Sequence, residues 1–396
     1  MVAVIDSEKK FGDWSEAMDK GNVLVLGNSG VGKTTLINAV LGEHRGETSR
    51  GMKGTTQELK IYESDDLPFR LIDSVGFEPS FVKQQQAIHA VKKWSSESET
   101  DKKKEINEVW FCIDGTAGKL FPVTIKNLSS AIKRWPSVPV IVVITKSFSE
   151  PDRKENIEMV TEAFDKLKMS KRINSIIPVV ASIFRLNEQA YAAPDGITDL
   201  IDTTNRLMPE AIKSAERDIQ KFILQRKRVF AHGVVTAATA GGTTIGAVPI
   251  PIPDAGILAG VETAEISAIA KIYGISNDDI AKDFKKTIVE MGTAGTIAKQ
   301  ILVAIKAIPG LNIAAAAINA VVAGTIVAAV GEISVYGYEQ VYLGNKKLDD
   351  IDWIRKFGER YLMNKDIAAK IAQILKTISS KSSPKEIAEA IAKFFK

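Results

Sequence analysis

Gly27-Asn28-Ser29-Gly30-Val31-Gly32-Lys33-Thr34 decides the reading of this 396-residue chain, because it satisfies every fixed position of the phosphate-binding pattern G-x-x-x-x-G-K-[ST]. The apolar run Asn22–Leu26 precedes it and reads as a buried strand; Thr35–Leu41 follows with helical spacing. The order matters physically. Glycines let the backbone turn tightly enough to aim N–H groups at a phosphate, and the following helix adds its positive N-terminal end. Lys33 is expected to reach the β- and γ-phosphates and the Thr34 hydroxyl to hold Mg²⁺, with Thr35 joining the nucleotide-binding residues.

Beyond the loop's helix, Gly42–Gly54 is polar and Gly-rich, the composition of a mobile loop, and runs into Gly54-Thr55-Thr56 before a strand-like Leu59–Tyr62. A hydroxyl there, assigned to Thr56, would reach the metal and γ-phosphate and hold the loop closed only on a triphosphate. Asp73-Ser74-Val75-Gly76 follows the strand Phe69–Ile72, forty residues beyond Lys33. At a strand end, Asp73 supplies a carboxylate to the metal and Gly76 an N–H to the γ-phosphate. Lys83–Lys104 is charged and Ser-rich, read as a solvated helix and loop with a nucleic-acid patch as the weaker alternative. Further buried strands are expected at Val109–Asp114, Val138–Ile144 and Ile176–Val180. Strands alternating with helices predict an α/β, doubly wound, mostly parallel sheet with its ligand at the strand C-terminal ends.

With these motifs in hand, residues 20–210 resemble a GTPase domain of the Era-like kind, with the immunity-related GTPases as similar relatives. The phosphate loop, Gly54-Thr55-Thr56, Asp73-Ser74-Val75-Gly76 and Thr145-Lys146 carry the resemblance, and Ala181-Ser182 resembles the weak fifth motif that touches the base. The resemblance implies GTP and Mg²⁺ as ligands, Thr34, Thr56 and Asp73 around the metal, and Lys33, Thr56 and Gly76 in catalysis. Two departures stand out. Phe148 occupies the place of the guanine-reading Asp of [NT]-K-x-D, leaving Lys146 to stack along the base, and ATP stays open as an alternative. Glu150 or Asp152 could act for the missing carboxylate from the same loop. Phe77, then Glu78, stand where some GTPases place a water-orienting glutamine, so slow hydrolysis that rises with self-association, a partner or a membrane is expected.

The totals set bounds. Net charge is +4 and 45% of residues are hydrophobic, an ordinary soluble composition whose charge does not by itself imply nucleic-acid binding. Cys112 is the single cysteine, which excludes an internal disulfide, and three histidines leave little for a zinc site. Met1–Lys10 lacks the basic start and apolar core of a signal peptide, and a cytoplasmic setting is expected.

Around residue 210 the chain changes. Domains are expected at 1–210 (GTPase), 211–228 (linker helix), 229–345 (helical) and 346–396 (terminal helices). Before the phosphate loop, Phe11, Trp14 and Met18 mark a short helix; Pro209–Arg228 is a charged amphipathic one. Gly233–Pro253 and Ala307–Gly331 carry no charge, and the second holds eight alanines between Ala314 and Ala329. Both are long enough to span a bilayer, yet Ala, Gly and Thr insert poorly and prolines interrupt them. A soluble Ala-rich bundle is the favoured expectation, with membrane association the rival. Pro249-Ile250-Pro251-Ile252-Pro253-Asp254 and the later Ile269-Ala270-Lys271-Ile272-Tyr273-Gly274 resemble the YcjF-type helical domain over residues 230–345, which implies membrane association without defined chemistry. Asp254 reads as a helix cap. The terminal helix after Ser383-Pro384 has one apolar side, Ile387, Ile391, Phe394 and Phe395, suited to the protein body or to an anionic membrane. The expected partners are GTP and GDP, a second copy through the nucleotide domain, and a membrane surface.

Overall fold

A computed structural model describes residues 20–42, 46–47, 59–74, 105–117, 125–126, 135–187, 190–209, 212, 216–247, 255–275, 279–293, 315–362, 365–379 and 381–395. Thr55, Thr56, Val75, Gly76, Phe77, Glu78, the segments 1–19 and 83–104, and Pro249–Asp254 lie outside the described residues. The chain divides into two compact units, Met1–Val179 with Asp199–Ile223, and Val180–Thr198 with Leu224–Lys396.

The first unit is built on a sheet of β1 (Gly21–Leu26), β2 (Gly46–Glu47), β3 (Leu59–Glu63), β4 (Phe69–Ser74), β5 (Glu108–Asp114), β6 (Val140–Thr145) and β7 (Ile173–Pro178). Their order is β2-β3-β4-β1-β5-β6-β7. The five strands from β4 to β7 pair in parallel; β3 runs antiparallel to β4, and β2 to β3. Val23, Leu24, Val25 and Leu26 are 0–1% exposed, as a central strand covered on both faces requires. The chain leaves β1 for β3 and β4 on one side, then returns past it to β5, β6 and β7 on the other. That reversal opens a crevice at the C-terminal ends of the strands beside β1. The doubly wound, mostly parallel α/β sheet is therefore the observed fold.

Alternation along β5 serves two cores. Phe111 and Ile113 face one side, where Phe111 meets Phe164 of α2 (Glu150–Lys166) edge to face at 5.9 Å. Trp110 faces the other, edge-on to Phe69 at 6.2 Å, and its indole N–H lies 2.9 Å from both the Glu108 carboxylate and the hydroxyl of Thr204 in α3 (Ile197–Leu207).

Several boundaries correct the sequence reading. The supposed loop Gly42–Gly54 contributes β2, whose Gly46 and Glu47 pair with β3. Glu150 and Asp152 are in the first turn of α2 rather than in a loop, where their charge favours the helix N-terminus. The linker helix does not end at 228: α4 runs from Glu216 to Gly246 across the change from charged to uncharged sequence.

In the second unit α5 (Ala255–Ile272), α6 (Asp279–Thr293), α8 (Ile351–Leu362), α9 (Lys365–Thr377) and α10 (Pro384–Phe395) pack on α7 (Ala315–Tyr342). Small residues bring α4 and α7 together: a Cβ on Gly246 would lie 2.5 Å from the Asn319 carbonyl, and one on Gly242 2.8 Å from Val327. Among the described residues α7 alone is long and apolar enough to cross a bilayer, with mean hydropathy 1.8, but 72% of that window is buried within the protein. The same packing takes up the apolar side of α10, whose Ile387, Ile391 and Phe395 are buried. Ser383 and Glu386 cap it reciprocally: Glu386 accepts from the Ser383 N–H at 2.7 Å, and the Ser383 hydroxyl accepts from the Glu386 N–H at 3.3 Å.

Candidate nucleotide site

Gly27–Gly32 joins the end of β1 to α1 (Lys33–Leu41), at the crevice that the strand order opens. Three glycines are needed there for different reasons. Gly30 and Gly32 hold φ of +79° and +98°, a region costly for any residue with a Cβ. Gly27 passes so close to β5 that a Cβ would lie 2.8 Å from the Cys112 carbonyl. Asn28 is half-buried, Ser29 is exposed, and Val31 is buried beneath the loop. Thr34 and Thr35 are exposed on the first turn of α1, which contains no acidic residue, so the positive helix end is left for an anion.

Lys33 is 7% exposed and donates to the carbonyls of Gly27 at 3.0 Å and Asn28 at 3.1 Å. Burial lowers its pKa, partly offset by the negative charge of Asp73. Asp73 lies within β4 itself, paired with Val25 of β1 and Lys60 of β3. Burial pushes its carboxyl up to about 6, partly offset by Lys33 and Lys60. Its Oδ1 is buried without a hydrogen-bond partner. An orphaned carboxylate oxygen beside the loop lysine, with the exposed Thr34 hydroxyl on the next helix, fits a hard divalent cation that takes oxygen ligands.

The end of β6 braces the loop. The Thr145 hydroxyl lies 2.5 Å from the Val31 carbonyl and 2.9 Å from that of Ile113. Lys146, itself at φ +53°, donates to the Gly30 carbonyl at 2.8 Å and to the Asp114 carboxylate at 2.7 Å. Burial raises the Asp114 pKa, but hydrogen bonds from Lys146 and Thr116 and the lysine charge outweigh it, and the net shift is downward. Phe148 is half-buried, and its N–H donates to the Lys146 carbonyl at 2.8 Å.

Thus Gly27, Asn28, Ser29, Gly30, Val31, Gly32, Lys33, Thr34, Asp73, Thr145 and Lys146 meet at one end of the sheet. Ala181 and Ser182 follow β7 in irregular chain, half-buried and exposed respectively, in the segment grouped with the second unit. Thr56 and Gly76 lie outside the described residues. Sequence reasoning missed Asp114, Gly115 and Asn156. The Gly115 N–H donates to the Thr145 carbonyl at 2.8 Å, its own carbonyl accepts from Asn156 at 2.9 Å, and a Cβ there would lie 2.7 Å from the Thr145 carbonyl. A strand ending in Asp-Gly was the available signal.

Residues 22–146 match the family model described as 50S ribosome-binding GTPase. The chain is similar to GTPase Der of Persephonella marina, 26% identical over 152 residues, which cover 38% of this chain and 32% of that protein. It is also similar to GTPase Era of Vibrio vulnificus, 27% identical over 183 residues, which cover 45% of this chain and 52% of that protein. The matches therefore span between a third and about half of those relatives' length. Among solved structures, a probable GTP-binding protein engB aligns at 19% identity over 47% of this chain and 98% of its own, with a TM-score of 0.33. Era in complex with MgGDPNP and 16S ribosomal RNA nucleotides aligns at 20% identity over 60% of this chain and 70% of its own, also with a TM-score of 0.33. This chain thus carries a P-loop GTPase domain with Era- and Der-like relatives at low identity.

Proposed function

We propose that this chain binds GTP and hydrolyses it slowly, acting as a nucleotide-dependent switch. One observation carries the reading: a buried lysine closes on the carbonyls of its own phosphate loop, beside a buried carboxylate with an unpartnered oxygen. Those carbonyls hold Lys33 where a phosphate would draw it, and Thr34 with Asp73 would hold Mg²⁺, which when bound neutralises phosphate charge. Lys33 and the loop N–H groups then bind and orient the phosphates, Thr56 and Gly76 would sense the γ-phosphate, and Ala181 with Ser182 would contact the base.

The finer readings belong to the same proposal. These are domain boundaries at 210 and 345, a likeness to immunity-related GTPases, a YcjF-type helical domain, self-association through the nucleotide domain, and work at a membrane surface in the cytoplasm. The depth at which α7 is buried favours a soluble, partner-binding switch over insertion of that helix into lipid. Phosphate release from GTP with and without Mg²⁺, in wild type and Thr34→Ala, tests the hydrolase reading. Mg²⁺-independent release, or release that Thr34→Ala leaves intact, would sink it. Co-sedimentation with anionic liposomes separates the soluble switch from the membrane-bound one.

A further inference from the structure

We propose that Asp114 is a positioning residue for Lys146: its carboxylate fixes the lysine amine over the phosphate loop and so shapes the floor on which the base rests. The proposal builds on the nucleotide reading above and concerns a residue that reading does not use. Asp114 ends β5 opposite Thr145 of β6. Its Oδ2 accepts from the Lys146 amine at 2.7 Å; its Oδ1 accepts from the Thr116 N–H at 2.9 Å and lies 2.6 Å from the Thr116 hydroxyl. With both oxygens engaged, the carboxylate is not free to turn away. The amine has its second acceptor in the Gly30 carbonyl at 2.8 Å, within the loop. A lysine stem is loose by nature, and two fixed acceptors remove that freedom before any nucleotide arrives. Phe148 makes this matter, since its side chain offers no polar atom to a base edge and leaves the stacking surface along Lys146 to order the base.

Calorimetry on the full chain, with GDP and with inorganic tripolyphosphate as probes, tests it. The substitution Asp114→Asn keeps an acceptor for Thr116 but turns an amide donor toward the ammonium. Asp114→Asn is expected to weaken GDP about tenfold while tripolyphosphate changes less than about twofold. Added to Lys146→Met it should cost nothing further, because both act through one contact. Thr116→Val keeps the backbone bond and the ion pair, and should bind GDP as wild type does. Should Asp114→Asn not fold, Asp114→Ser takes its place with the same expectations. Unchanged GDP affinity, equal losses for both probes, or a full loss on top of Lys146→Met would overturn the proposal. Wild type that binds no GDP would instead fail the nucleotide reading itself, and the proposal with it.

Discussion

Glu108→Gln should make the first unit less sensitive to alkali. Glu108 is 0% exposed, its Oε1 accepts from Trp110 and Thr204 at 2.9 Å each, and its Oε2 has no partner. Burial pushes its pKa from 4.5 to about 7, against the pull of those two hydrogen bonds. The folded form therefore binds the proton more tightly than the unfolded chain. Stability from this group is full below pH 4.5 and is lost as pH rises through about 7. A shift of that size corresponds to about 3 kcal/mol between the two limits. Glutamine keeps the acceptor and carries no charge, so the variant should equal wild type near pH 4.5 and exceed it by about 3 kcal/mol at pH 8. The helical unit titrates too, since burial raises Glu262 to about 7. Trp353 is the one tryptophan outside Met1–Val179, so a Trp353→Phe background lets indole fluorescence report the first unit alone. Urea melts of both proteins at pH 5, 6, 7 and 8 give the comparison. A difference that stays constant with pH would mean instead that Glu108 is buried as the anion.

Three further expectations rest on other parts of the chain. Cation binding should displace the proton held by Asp73, so affinity for Mg²⁺ with GTP should fall as pH drops through about 6, and Asp73→Asn should flatten that profile; pH-titrated calorimetry reads both. Gly246→Ala sets a Cβ 2.5 Å from a backbone carbonyl and 2.8 Å from the Ala320 Cα, neither of which can rotate aside, and should cost about 1–3 kcal/mol. Gly260→Ala, on the exposed side of α5 with nothing within 4 Å, should add about 0.5–1 kcal/mol in the same denaturation assay.

The phosphate loop and its flanks were legible because their chemistry is local: glycines, one lysine and a hydroxyl at fixed spacing between an apolar strand and a helix. Asp73 was legible by its place after an apolar run, although the strand extends through it to Ser74. The Lys146–Asp114 pair was not, since the two lie 32 residues apart and only the parallel pairing of β5 with β6 brings them together. Nor was the continuity of α4, because a shift from charged to uncharged residues changes what a helix packs against without breaking its backbone hydrogen bonds. For α10 the sequence left two surfaces open; contact with α7, where Ile391 closes on Gly324, selects the protein body.

The Gly27–Thr34 loop is expected to bind a guanine nucleotide although Phe148 replaces the base-reading carboxylate. Calorimetry of GTP and ATP with Mg²⁺, on wild type and Lys33→Ala, tests it most directly. Wild type should bind GTP more tightly than ATP, and Lys33→Ala should lose both. Equal or tighter ATP binding, or GTP binding that survives the loss of Lys33, would contradict it.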